Sequence, residues 1–81
     1  MGIMDNIRNA VEEGKPGIVT RLLSKAIDSG INPQIILKEA LLPAMRKMGQ
    51  EYKEEDSDVA RILAATRAMK KGMDFLEPYL D

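Results

Sequence analysis

"DVARILAATRAMKKGMDFLEPYL", Asp58 to Leu80, closes the chain and decides its reading. Placed at about 100° per residue, Ile62, Thr66, Met69, Met73, Leu76 and Leu80 form an apolar stripe, with Val59 at its edge. Beside it run Asp58, Arg61, Ala65, Ala68 and Gly72, at i, i+3, i+7, i+10 and i+14. This second stripe is nearly flat in its middle and is continued by Phe75 and Tyr79. Ala60, Arg67, Lys70, Lys71, Asp74 and Glu77 complete a solvent side. The pattern predicts an amphipathic helix from about Asp58 to Glu77, ended at or near Pro78. Glycine inside a helix costs about 1 kcal/mol relative to alanine, so Gly72 calls for a close approach. Two things could make that approach: another helix of the same bundle, or a flat ligand or partner domain.

The rest of the chain has the same period. Ile3, Ile7, Ala10 and Val11 line one face of a first helix, and Gly14 ends it. Lys15-Pro16-Gly17 is a tight connection, with Pro16 suited to a first helical turn. Ile18/Val19, Leu22/Leu23 and Ala26/Ile27 carry the period through a second helix. In "DSGINP" (Asp28–Pro33), Gly30 suits the left-handed residue after a helix end, and Ile31 can fold back as its hydrophobic contact. Asn32 can cap the next helix with Pro33 at its first position. The third helix places Ile36/Leu37, Leu41, Met45, Met48 and Tyr52 on one face. Pro43, inside it, lacks an N–H and predicts a kink or brief break near Glu39 to Leu42. "KEEDSD" is a polar connection in which Asp56 or Ser57 can cap the closing helix. Four helices with short connections predict an all-α fold, an antiparallel four-helix bundle over residues 1–81.

Composition excludes several classes. The 81 residues carry 12 basic and 13 acidic side chains, a net charge of −1. The charges are interspersed, so no nucleic-acid or membrane surface is announced. No apolar run approaches the roughly 20 residues that span a bilayer. There is no Cys, which excludes disulfides and thiolate metal sites and fits a cytoplasmic setting. There is no His either, the commonest general acid/base and metal ligand. No nucleophile–base pair and no phosphate loop stands out. The acidic cluster Glu51, Glu54, Glu55, Asp56 and Asp58 lacks the glycine and the spacing of a calcium loop. Arg61, Arg67, Lys70 and Lys71 scatter around their helix and read as a solvated face. Met45, Met48, Met69 and Met73 read as core fillers, the alternative being an adaptable binding surface. No catalytic residue and no metal ligand is assigned.

Beyond the bundle, order and spacing carry a resemblance over nearly the whole chain. Gly30 and Pro33 make a G-x-x-P turn. "LLPAMRKMG" supplies Leu42, Pro43, Met45 and Gly49. Val59, Leu63, Ala64, Ala65, Ala68, Met69, Lys70, Gly72, Leu76 and Pro78 match the closing-helix pattern V-P-x-x-L-x-A-A-x-A-M-K-x-G-x-x-x-L-x-P, with Ala60 in place of its first proline. "AVEEGK" is similar to an opening A-x-x-x-G-D segment. In these residues the chain resembles the helical cap module of corrinoid-dependent methyltransferase proteins, including cobalamin-dependent methionine synthase and the small corrinoid proteins of methanol, methylamine and aryl methyl ether demethylation. The resemblance implies a methionine synthase cap-like four-helix bundle that covers the methyl-bearing face of cobalamin. It implies a separate α/β domain that holds the corrinoid and supplies the lower cobalt ligand from a D-x-H-x-x-G motif, neither of which is in these 81 residues. By position it assigns the cofactor-facing surface to Asp58, Ala65 and Ala68. The expected partners are that α/β domain and a methyltransferase, with a homo-oligomer possible. Tight corrinoid binding by this chain alone is not expected. The other reading is a diverged helical interaction or dimerisation module that no longer binds corrinoid.

Overall fold

A computed structural model describes residues 2–53 and 58–80. It is an all-helical four-helix bundle. Helix α1 is Ile3–Glu12 and α2 is Pro16–Asp28. The third helical run, residues 33–52, has three pieces: α3 (Pro33–Ile36), a π-helical turn (Leu37–Leu41) and α4 (Leu42–Tyr52). Helix α5 is Val59–Leu76, continued by a 3₁₀ turn at Glu77–Tyr79 that contains Pro78.

The first two helices end as their sequences require. Gly14 (φ +70°) and Gly30 (φ +88°) are both left-handed. After α1, the Gly14 N–H donates to the Val11 carbonyl and the Lys15 N–H to the Ala10 carbonyl, each at 3.0 Å. After α2, Gly30 donates to Ile27 at 2.9 Å and Ile31 to Ala26 at 3.1 Å. These paired bonds satisfy carbonyls that a helix end leaves open. Ile31 packs against the core, and Asn32 Oδ1 accepts from the Gln34 N–H at 2.8 Å. Thus "DSGINP" both stops α2 and starts α3.

Two expectations are revised. The cap expected from Asp56 or Ser57 falls on residues outside the described ones. The N-cap of α5 is Asp58, whose Oδ1 accepts from the Arg61 N–H at 3.2 Å. At Pro43 the sequence predicts a kink or brief break. The structure has a π turn just ahead of the proline, with the Leu42 N–H donating to the Leu37 carbonyl. Pro43 itself occupies the first turn of α4.

The core draws Ile7 and Val11 from α1, Val19 and Leu23 from α2, and Ile36 and Leu41 from the third run, all fully buried. On α5 the buried positions are Ile62, Ala65, Ala68, Met69, Gly72 and Leu76. They fill an arc of about 120° that straddles both stripes of the sequence pattern. The expected core stripe is therefore only half right: Thr66 is exposed and Met73 is half-buried. A Cβ on Gly72 would meet Val19 Cγ1 at 3.0 Å and Leu23 Cδ1 at 3.4 Å. The small residues thus let α5 lie close against α2, the first of the two explanations open for Gly72.

Candidate functional site

Each helix of the α4–α5 pair presents exposed apolar residues outside the core. On α4, Ala44 and Met48 point inward, whereas Met45 is 44% and Tyr52 67% exposed. On α5, Val59 is 58% and Leu63 53% exposed. Val59, Ile62, Leu63 and Thr66 stand at i, i+3, i+4 and i+7, so they share one helix face. This face continues directly from the buried arc at Ile62 and Met69.

Between α4 and α5 lies an open groove of about 330 Å³, lined by Met45, Met48, Gly49, Tyr52, Ile62, Thr66 and Met69. Met48, Ile62 and Met69 are nearly buried and make its floor. Three of the seven lining residues are methionines, whose flexible thioethers adapt to the shape of what they touch. The sequence reading made Met45 a core filler and put Tyr52 on the same helix face; the structure puts both on the rim. The only lining side chain with a hydroxyl besides Tyr52 is Thr66, and its Oγ1 is occupied in donating to the Ile62 carbonyl at 2.8 Å. The groove therefore offers mainly dispersion contacts and apolar area.

Two ion pairs tie α4 to its neighbours. Arg61 Nη1 lies 3.2 Å from Glu51 Oε2, tying the start of α5 to the end of α4. Lys47 Nζ lies 2.6 Å from Glu12 Oε1, and this hydrogen bond, then the charge of Glu12, raises the lysine pKa above 10.5. Among the described residues no group of three His, Cys, Asp or Glu side chains is placed to hold a metal ion. No described helix is long and apolar enough to cross a membrane.

The three residues assigned by resemblance do not share one surface. Asp58 is exposed at the head of α5, beside Val59. Ala65 and Ala68 are 2% and 0% exposed and belong to the core cluster. They present no surface to a ligand in this conformation, because the core is centred on the flat stripe rather than beside it. The exposed apolar residues that sequence reasoning did not assign to a site are Leu63 and Val59. Leu63 falls on neither stripe, and a large apolar residue off the core stripe is a signal the sequence does contain.

Comparison with known proteins identifies the family. A family model described as "B12 binding domain" matches residues 3–77. The chain belongs to this family of B12-binding domains. It is 28% identical over 79 residues to monomethylamine corrinoid protein 1 of Methanosarcina acetivorans, covering 98% of this chain and 36% of that protein. It is 27% identical over 78 residues to a corrinoid protein of Desulfitobacterium hafniense, covering 96% and 36%. Trimethylamine corrinoid protein 1 of Methanosarcina acetivorans is 20% identical over 79 residues, covering 98% and 37%. The chain thus spans little more than a third of the length of these relatives. No solved structure matches.

Proposed function

We propose that this chain is the non-catalytic cap of a corrinoid methyl-transfer system, and that its α4–α5 groove covers the methyl-bearing face of a corrinoid held by an α/β domain. The observation that carries this reading is the methionine-rich groove bordered by exposed Met45 and Tyr52, with Val59 and Leu63 exposed on the adjoining face of α5. A corrin ring is broad and flat, and a methyl group on its cobalt needs shielding from water rather than a hydrogen-bonding partner. The groove suits that task. With neither His nor Cys in the chain, its residues suit covering the ring and not ligating the cobalt from below. When bound, the corrinoid supplies the methyl-transfer chemistry; the protein supplies a dry apolar surface.

Within this reading Asp58 stays a rim residue. Ala65 and Ala68 act by letting α5 sit close to the bundle, and would meet the cofactor only if α5 parted from its neighbours. The system would include a methyltransferase and operate in the cytoplasm.

The test is to add this chain to the α/β domain of a corrinoid protein loaded with methylcobalamin. Slower photolysis of the cobalt–carbon bond and a changed absorption spectrum are expected. Leu63→Glu or Tyr52→Asp should abolish both effects while leaving the helical circular dichroism unchanged. No protection by the wild-type chain would reject the cap reading. Self-association of the wild type that Leu63→Glu abolishes would, in that event, favour the interaction module that no longer binds corrinoid.

A further inference from the structure

The π turn at Leu37–Leu41 decides which way the groove-forming half of the third helical run faces. Ile36, Ala40, Ala44 and Met48 are all buried, at i, i+4, i+8 and i+12. In an unbroken α-helix such a row drifts by about 40° per step, or about 120° from Ile36 to Met48. A π turn takes up one extra residue and so sets the succeeding helix back by roughly 90–100°. That setback brings Ala44 and Met48 into line with Ile36 and Ala40. It also decides where Met45 and Tyr52 stand. Without it they would project at roughly 160–180° from Ile36, on the side of Leu41; with it they stand at roughly 70–90°, on the shoulder facing α5.

Two groups hold this turn. Pro43 has no N–H, so the ordinary α-helical donor to the Glu39 carbonyl does not exist. That carbonyl instead accepts from Arg8 Nη1 of α1 at 2.5 Å. Arg8 is itself steadied by an ion pair with Asp5, one turn earlier on the same helix. A bond from a charged donor, made across 31 residues of sequence, thus replaces the backbone bond that the proline forbids.

We infer that Arg8 is a positioning residue for the groove: by holding the Glu39 carbonyl whose α-helical donor Pro43 removes, it fixes the π turn that aims Met45 and Tyr52 toward α5. The inference deepens the cap reading and, in its corrinoid arm, rests on it.

The experiment compares the wild type with Arg8→Ala, Pro43→Ala and the double variant, using the full chain. Three readouts are taken: urea midpoint, NOEs among Met45, Met48, Tyr52, Ile62 and Met69, and protection of methylcobalamin on a corrinoid α/β domain. Arg8→Ala should lower the midpoint and weaken the NOEs. In the double variant the backbone N–H gained at position 43 can bond to the Glu39 carbonyl, so the midpoint should recover. The groove NOEs should stay lost, because that bond belongs to the α-helical register, and cobalamin protection should fall at least tenfold. A purely structural Arg8 predicts the opposite: NOEs that return with the midpoint. That result, or intact NOEs in Arg8→Ala, overturns the inference. The NOEs need no corrinoid, so a wild type that gives no protection rejects the cap reading while leaving this test standing.

Discussion

The backbone of Gly14 rests on Ala64. A Cβ at position 14 would lie 2.6 Å from Ala64 Cβ and 3.0 Å from its carbonyl carbon. The end of α1 therefore docks on the middle of α5 at a distance only glycine permits. Two penalties combine in Gly14→Ala: a left-handed residue with a side chain, about 1–2 kcal/mol, and an overlap with a neighbouring backbone, typically 1–3 kcal/mol. Gly30 has the same handedness but nothing within 4 Å. Gly14→Ala should lower stability by about 2–5 kcal/mol and Gly30→Ala by about 1–2 kcal/mol. Urea denaturation of the two variants separates the contact from the backbone strain, and equal losses would show that the contact is unimportant.

Gly72 sets up a closer contest. Alanine there gains about 1 kcal/mol of helix propensity but presses on Val19 Cγ1 at 3.0 Å. Gly72→Ala should therefore fall within about 1 kcal/mol of the wild type. Once Val19→Ala has removed the obstructing methyl, the same substitution should be stabilising relative to Val19→Ala alone. Gly72→Leu and Ala68→Leu should each cost at least ~2 kcal/mol, since both positions lie inside the bundle. Thermal denaturation of the single and double variants checks the change of sign. A tolerated Ala68→Leu would mean that the face is open, as a flat ligand platform requires.

Local chemistry sets the part of the fold that was legible in the sequence. "DSGINP" specifies its own turn, because the left-handed glycine, the returning Ile31 and the Asn32 cap act within six residues. The helices and their order come from periodicity, and the family from the order of short motifs. The orientation of α5 was only partly legible: Gly72 asked for a close approach that α2 makes, but the core stripe was drawn beside it. Hydrophobic counting gives Ala65, Ala68 and Gly72 little weight, although close approach of α2 makes them the centre of the buried face. The π turn was not legible. Pro43 announces that something must happen, but the partner of the freed carbonyl is Arg8, on another helix. Met45 and Tyr52 were placed on one face with Leu41 and Met48 because an unbroken 3.6-residue period was carried through that turn. The groove they border, the candidate site, thus depends on a contact that no local pattern contains.

Asp58 has a structural task apart from any ligand. Its Oδ1 accepts the Arg61 N–H at 3.2 Å, and its backbone is extended, as an N-cap requires. Asp58→Ala should cost about 0.5–2 kcal/mol, whereas Asp58→Asn, which keeps the acceptor, should cost only a few tenths. The asparagine variant also removes a negative charge next to the apolar rim. Under the cap reading it should protect methylcobalamin at least as well as the wild type while holding its stability. Comparison of urea midpoints with photolysis rates separates capping from cofactor coverage. Loss of protection in Asp58→Asn at unchanged stability would assign the carboxylate a direct part in the site.

The Lys47–Glu12 pair ties α4 to the end of α1 and predicts an alkaline limit. The lysine pKa is raised in the folded protein, first by the hydrogen bond to Glu12 and then by its charge, from an ordinary value of 10.5. A raised pKa means that the folded state holds the proton more tightly than the unfolded chain. The stabilisation is fully present below the unfolded value of 10.5 and is lost as pH rises through the higher folded value. Lys47 is 55% exposed, so solvent and salt screen the pair and its contribution is small. The stability difference between the wild type and Lys47→Met should be level from neutral pH to just below 10.5, then shrink as pH rises further. It should also be smaller at high salt across the level region. Urea midpoints of both proteins across this range, at low and high ionic strength, check both effects. A difference that grew with alkaline pH would show that the ion pair does not favour the folded state.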